Sequence, residues 1–213
     1  MLFKIYIQLN CVVMIMINER LLSQVAFIHE IDKLKYIQRK TRLFNSERSE
    51  NDAEHSWHLA MMTIVLAEHS NVKVDVLKVL KMVLIHDIVE IDAGDVFLYD
   101  TNKMHCNTIA ERQAAERIFG LLPKDQFEEL MALWEEFEAC ETAEAKFAKS
   151  MDRFEPLLQN VSNDGGTWKE YGVDYSKVYK TQVVIKDGSA AIWDMAKPML
   201  EQTMLKGVFK KAG

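Results

Sequence analysis

The sequence predicts an all-α fold, and three observations carry that prediction. Apolar residues recur at helical spacing over long stretches, beginning with Leu21, Leu22, Val25, Ile28, Leu34 and Ile37. Only 3 of the 213 residues are proline and 49% are hydrophobic, so the chain can bury one sizeable core without long irregular tracts. Alternation of apolar and polar residues, the mark of a half-buried strand, occurs only in short ambiguous runs. One domain is expected over residues 18–206.

Residues 1–17 are largely apolar but carry Lys4, Gln8 and Asn10. They fall short of a membrane span of about 20 residues and lack the small-residue cleavage site of a secretory signal. They read as an extension ahead of a later natural start, the alternative being a short buried strand or helix. The first helix runs from Asn18 to Gln38, followed by Arg39-Lys40-Thr41-Arg42 and a polar loop through Ser49. Asn51 with Glu54 three positions on is a capping-box pattern, so a helix starts near Asp52 and reaches about His69. The next helix, Val74 to Ile91, is apolar on nearly every side and belongs in the centre. Gly94 stops it, Asp95 to Asn102 is loop, and an amphipathic helix spans Cys106 to Gly120. Pro123 suits the first turn of a helix reaching Glu138. Another begins at Glu141 and passes through Met151 and Asp152. Pro156 has no N–H for the Asp152 carbonyl, so a kink or stop is expected there. Asn163 to Gly166 is a turn and Trp168 to Asp174 a loop. Helices over Tyr175 to Lys186 and Ala190 to Leu205 complete the chain, with Pro198 inside the last.

Charge narrows the function classes. The net charge is −6 and no basic block of five or six residues occurs, which speaks against nucleic acid as the main partner. A small anionic ligand held by a few local cations remains open. Cys11, Cys106 and Cys140 have no paired spacing, so a reducing, cytoplasmic setting is expected and thiolate metal binding is not.

The chemistry concentrates at His86-Asp87-Ile88-Val89-Glu90, inside an otherwise apolar run. Burying a carboxylate beside an imidazole costs several kcal/mol unless each finds a partner. A divalent metal satisfies both at once. On a helix His86 and Glu90 lie at i and i+4, and Asp87 and Glu90 at i and i+3, so all three face one cavity. His55, His86, Asp87 and Asp152 form the candidate metal set. Two imidazoles and two carboxylates leave positions open on a six-coordinate ion and suit Mn, Fe, Co, Ni, Zn or Mg without choosing among them. Such an ion lowers the pKa of a water and polarises a phosphoryl group, which is metal-assisted hydrolysis.

Asn51-Asp52-Ala53-Glu54-His55-Ser56, His86-Asp87, Ala93-Gly94-Asp95 and Met151-Asp152, in that order, resemble the HD-domain phosphohydrolase superfamily, and within it the 5′-deoxynucleotidase branch. Leu121-Leu122-Pro123, Leu133 to Glu138 and Thr142 to Phe147 extend the resemblance to roughly residues 18–205. It implies a compact helical bundle, a homodimer, and one divalent metal on His55, His86, Asp87 and Asp152. It further implies that Glu90 activates the attacking water, that Asp95 lies by the sugar and favours deoxyribose, and that Arg39 binds the phosphate. Lys40 stands where bacterial members carry an aromatic residue, which makes Arg42 the substitute for Arg39. The substrate implied is a 5′-deoxyribonucleoside monophosphate. A nucleoside triphosphate, an alarmone, a phosphodiester, or a non-catalytic module with a structural metal are the alternatives.

Overall fold

The computed structural model describes residues 18–99 and 108–209. Residues 1–17, and Cys106 at the start of one predicted helix, lie outside the described residues.

Helix α1 (Glu19–Ile31) starts at Asn18, whose side chain accepts from the Arg20 N–H at 2.9 Å. It ends earlier than predicted, tightening into a 3₁₀ turn over Asp32–Tyr36. Its apolar stripe is real but does not face this core: Leu21 and Ile28 are 54% and 61% exposed, whereas Leu34 beyond it is buried. The polar stretch that follows is not all loop. Strands β1 (Gln38–Arg42) and β2 (Ser49–Asn51) pair antiparallel, Gln38 opposite Asn51 and Arg42 opposite Ser49. Alternation is present here, but the inward positions are Arg39 and Thr41 with Lys40 exposed between them, so hydrophobicity gives no signal.

Helix α2 (Asp52–Leu66) carries the predicted capping box. Asn51 Oδ1 accepts from the Glu54 N–H at 3.0 Å, and Glu54 Oε2 accepts from the Asn51 N–H at 3.2 Å. One face buries His55, Leu59 and Met62; the other exposes Trp57, Met61, Ile64 and Val65. Helix α3 (Val76–Ile85) is capped by Asp75, which accepts from the N–H groups of Leu77 and Lys78.

The predicted continuous helix from Val74 to Ile91 is interrupted. After Ile85 the chain tightens into a 3₁₀ turn, His86–Val89, before α4 (Glu90–Ala93). The His86 Nδ1–H donates to the Val83 carbonyl at 3.0 Å, an acceptor that an unbroken α-helix gives to the Asp87 N–H. Gly94 then turns the chain with φ +76°, a conformation open to glycine, and leads into the segment carrying Asp95.

Helices α5 (Thr108–Phe119), α6 (Lys124–Ala139) and α7 (Ala143–Ser162) follow, the second directly after Pro123 and the third capped by Thr142. Pro156 does not stop α7, which continues to Ser162. A short helix, α8 (Gly166–Glu170), forms where a loop was expected. The predicted Tyr175 to Lys186 helix is two pieces, α9 (Tyr175–Gln182) and α10 (Ile185–Gly188). A Cβ at Gly188 would collide with Ser150 Oγ and the Lys146 carbonyl, so glycine lets α10 lie against α7. Ser189 caps α11 (Ala190–Leu205), which accommodates Pro198.

Helix α7 is the axis against which α2, α3, α6, α10 and α11 pack. Leu59, Met82, Phe137, Phe147, Leu157, Ile185 and Leu200 fill the space between them. The fold is an all-α bundle with one polar hairpin at its side. Among the described residues no helix is long and apolar enough to cross a membrane.

Candidate metal centre

Helix α2 contributes His55, the 3₁₀ turn after α3 contributes His86 and Asp87, and the middle of α7 contributes Asp152. A ligating atom from each of His55, His86 and Asp152 lies within 4.8 Å of the other two. Asp152 Oδ1 stands 3.3 Å from His55 Nε2 and 3.7 Å from His86 Nε2. Metal bonds of about 2.0–2.2 Å to N and O fit inside such a triangle. Asp87 borders the cluster without entering it. Its Oδ1 is 3.0 Å from His86 Nε2, while its Oδ2 is held at 2.9 Å by Arg39 and lies 3.9 Å from His55 Nε2.

Both imidazoles have their remaining nitrogen committed. His86 donates through Nδ1 to a carbonyl, so in the neutral ring its Nε2 carries the lone pair. That Nε2 is buried and has no hydrogen bond among the described residues. His55 Nδ1 lies 3.3 Å from Glu155 Oε2 and 3.4 Å from Glu50 Oε2, shared between two carboxylates and well aligned with neither. Carboxylates at this position fix the ring with Nε2 toward an ion. Burial and Arg39 work against a proton on His55, yet Asp152, Glu155 and Glu50 raise its pKa well above the ordinary value. For His86, burial is likewise outweighed by Asp87 and Asp152. The cluster favours positive charge, which a bound divalent ion would supply. An orphaned imidazole nitrogen, a second imidazole and a carboxylate converging in a buried cluster fit such an ion.

The side behind His55 is closed. Glu50, Asp52 and Glu155 are all at most 1% exposed. Arg39 ties this side together, with Nη1 at 3.1 Å from Asp52 and 2.9 Å from Asp87 and Nε at 3.7 Å from Glu50. Burial raises the Glu155 pKa, but the nearby His55 ring and the His58 ring, 3.2 Å from Glu155 Oε1, overcome it and bring the group down to about 2.

The other side opens into a cavity of about 350 Å³. Glu90 and Asp95 line it, as do Arg39, Asp87, Asp152, Lys149 and Arg153. An oxygen of each of Asp52, Glu90 and Asp95 lies within 4.8 Å of the others. Burial, then Asp87 and Asp52, push the Glu90 carboxyl well above the usual carboxylate range. Burial and Asp87 also raise Asp95, against Arg39. Burial and Asp87 bring Asp52 up to about 6. A carboxyl group raised in this way takes up a proton more readily than a free one.

Of the residues read from sequence, the structure gathers His55, His86, Asp87, Asp152, Glu90, Asp95 and Arg39. Arg42 is elsewhere, at the end of β1, paired with Glu47 at 3.0 Å and Glu170 at 2.7 Å. Sequence reasoning passed over Glu50, Asp52 and Glu155. The signals were present. Glu155 lies one turn from Asp152 in a helix whose inward face is apolar, and Asp52 begins the helix that carries His55.

Comparison with known proteins bears on this geometry. The HD domain family model matches residues 31–193. The human protein "5'-deoxynucleotidase HDDC2" is 31% identical over 138 residues, covering 64% of this chain and 66% of that protein, just under two thirds. The Schizosaccharomyces pombe protein "5'-deoxynucleotidase hdd1" is 28% identical over 143 residues, 65% of this chain and 71% of its own. A crystal structure from Magnetospirillum magnetotacticum MS-1, described as a "Predicted metal-dependent phosphohydrolase", is 48% identical with TM-score 0.86, covering 90% of this chain and 96% of that one.

Proposed function

We propose, on the premise that the chain belongs to the HD domain family, that it is a metal-dependent phosphomonoesterase converting 5′-deoxyribonucleoside monophosphates to deoxynucleosides and phosphate. The observation that carries this reading is the meeting of His55, His86 and Asp152, the last two of which line a cavity together with Glu90 and Asp95. The names of the human and yeast relatives support the substrate class.

His55, His86 and Asp152, with Asp87 at their border, would hold one divalent ion; their N and O donors suit Mn, Co, Fe, Ni, Zn or Mg. When bound, such an ion lowers the pKa of a water and stabilises charge on a phosphoryl oxygen. The chain's own residues do the rest. Glu90 takes the proton of the attacking water, a task its raised pKa suits. Asp95, further along the cavity wall, accepts a hydrogen bond from the sugar. Arg39 holds Asp87 and Asp52 in register. Residues 18–206 form this one domain, and residues 1–17 are an extension to it. The chain works as a homodimer, which the apolar outer face of α2, with Trp57, Met61, Ile64 and Val65 exposed, supports. Light scattering reading a monomer mass would remove the dimer. Cysteines without paired spacing support a reducing, cytoplasmic compartment.

The test is full-length protein loaded with Mn or Co against a panel of deoxy- and ribonucleotides, scored for free phosphate. Release from deoxynucleoside monophosphates is expected. Replacing Glu90 with Gln should keep metal content and lower kcat about a hundredfold to ten-thousandfold. Failure of metal-loaded protein to release phosphate from any deoxynucleotide refutes the reading, and release from triphosphates or diesters alone moves it to another nucleotide class.

A further inference from the structure

We infer that Lys149 and Arg153, on α7 at either side of Asp152, form the seat of the substrate's phosphate. The inference rests on the phosphomonoesterase reading and adds the groups that take the anion.

The cavity presents a problem to an anionic substrate. Its metal end is rimmed by Asp87, Glu90, Asp95 and Asp152, with Glu111 and Glu138 further out. One bound divalent ion does not offset that many carboxylates, so a phosphate needs cations that are still free to meet it. The described cations lining the cavity are Arg39, Lys40, Lys149 and Arg153. Arg39 is committed to Asp52, Asp87 and Glu50. Lys40 is an exposed strand residue.

Lys149 and Arg153 differ from both. The Lys149 Nζ stands 3.6 Å, and an Arg153 Nη 4.0 Å, from Asp152 Oδ2, and among the described residues neither has another ion-pair partner. Oδ2 is the outward oxygen of Asp152; its Oδ1 faces the two imidazoles. Spacing on α7 explains the arrangement in part: Lys149 lies three residues before Asp152 and four before Arg153, so it neighbours both on the helix surface, while Arg153, next to Asp152 in sequence, reaches Oδ2 only at 4.0 Å. The lysine ammonium is further fixed 4.1 Å over the Phe137 ring, and that ring packs on His86 with centroids 4.8 Å apart. Trp134 lines the cavity too, and its buried indole N–H has no partner among the described residues. Side chains 20% and 22% exposed at the cavity wall can exchange a loose contact with a carboxylate for charge-assisted hydrogen bonds to a phosphate dianion.

The test measures binding of inorganic phosphate, by calorimetry, to full-length protein saturated with Mn. Lys149→Met and Arg153→Met should each weaken phosphate binding about tenfold. They should leave Mn content and the affinity for a deoxynucleoside unchanged, and Lys149→Arg should recover most of the loss. A purely structural role would not separate phosphate from nucleoside. Unchanged phosphate affinity in both variants overturns the inference. So does a loss that vanishes once the variants are resaturated with Mn, because the two cations would then only balance Asp152. If wild-type protein binds phosphate through these residues but hydrolyses no deoxynucleotide, the substrate reading fails and the seat stands. If it binds no phosphate with Mn at saturation, the seat falls even where hydrolysis is observed.

Discussion

The two sides of the His55 ring are built on opposite terms. Behind Nδ1 the charges are buried and set beside opposite charge, although several of their atoms lack a hydrogen bond among the described residues: Glu50 and Glu155 flank the imidazole, and Arg39 spans Asp52, Asp87 and Glu50. In front of Nε2, His86 Nε2 and Glu90 Oε2 are buried without a hydrogen bond among the described residues, and the Asp87 charge raises the pKa of both Glu90 and Asp95. An uncompensated buried charge costs several kcal/mol, so a stable fold keeps one only where something else completes it. On the proposed function, the back would hold the ring still and the front would be completed by an ion and a substrate.

The largest effect should come from breaking the front. Asp152→Ala removes the oxygen common to both imidazoles and should bring Mn content to background and phosphate release with it. Elemental analysis after dialysis reads this directly. Full metal content in that variant would mean that the front is not where an ion is held.

Disturbing the back should cost less and in a different currency. Glu155→Gln keeps an acceptor near His55 Nδ1 but removes the charge, and should weaken Mn affinity by roughly 10–100-fold rather than abolish it. It also carries a pH signature in metal-free protein. The folded pKa of Glu155 is depressed to about 2 from the ordinary 4.5. A depressed carboxylate contributes stability above the unfolded value and loses it as pH falls through the folded one. The shift corresponds to something on the order of 3 kcal/mol at neutral pH. Urea midpoints with a chelator present should therefore show the variant weaker at pH 7, with the gap closing between about pH 4.5 and 2. A gap that does not close would place the origin of the loss in packing rather than charge.

The front was legible in the sequence and the back was not. His86-Asp87 and Glu90 interrupt an apolar run, and a charge where a core wants leucine is visible without coordinates. The helical period also predicted α2, α6 and α11 to within a few residues, and the starts but not the ends of α3 and α7. Glu50 and Asp52 stand in a polar stretch where a carboxylate is unremarkable, and only the β1–β2 hairpin, whose inward residues are Arg39 and Thr41, turns that stretch into the wall behind His55. Hydrophobic patterning is blind to a strand that buries charge against charge. The 3₁₀ turn at His86 was equally hidden, since it comes with a side-chain contact to the Val83 carbonyl that helical periodicity does not register.

The smallest effect is expected at the edge of the comparison, where β1 carries two arginines of the same sequence character. Arg39 is 14% exposed at the side chain and lies within the carboxylate network. Arg42, 29% exposed, spans Glu47 and Glu170 and does not line the cavity. Exposed ion pairs contribute about 0–1 kcal/mol. Arg42→Ala should therefore move the urea midpoint little and leave KM for a deoxynucleotide within about twofold, because the charge it removes faces solvent and two surface glutamates. A tenfold rise in KM with metal content intact would mean that the anion reaches further along β1 than the cavity does. The division between a sealed back and a reactive front would then have to be drawn on the far side of the hairpin.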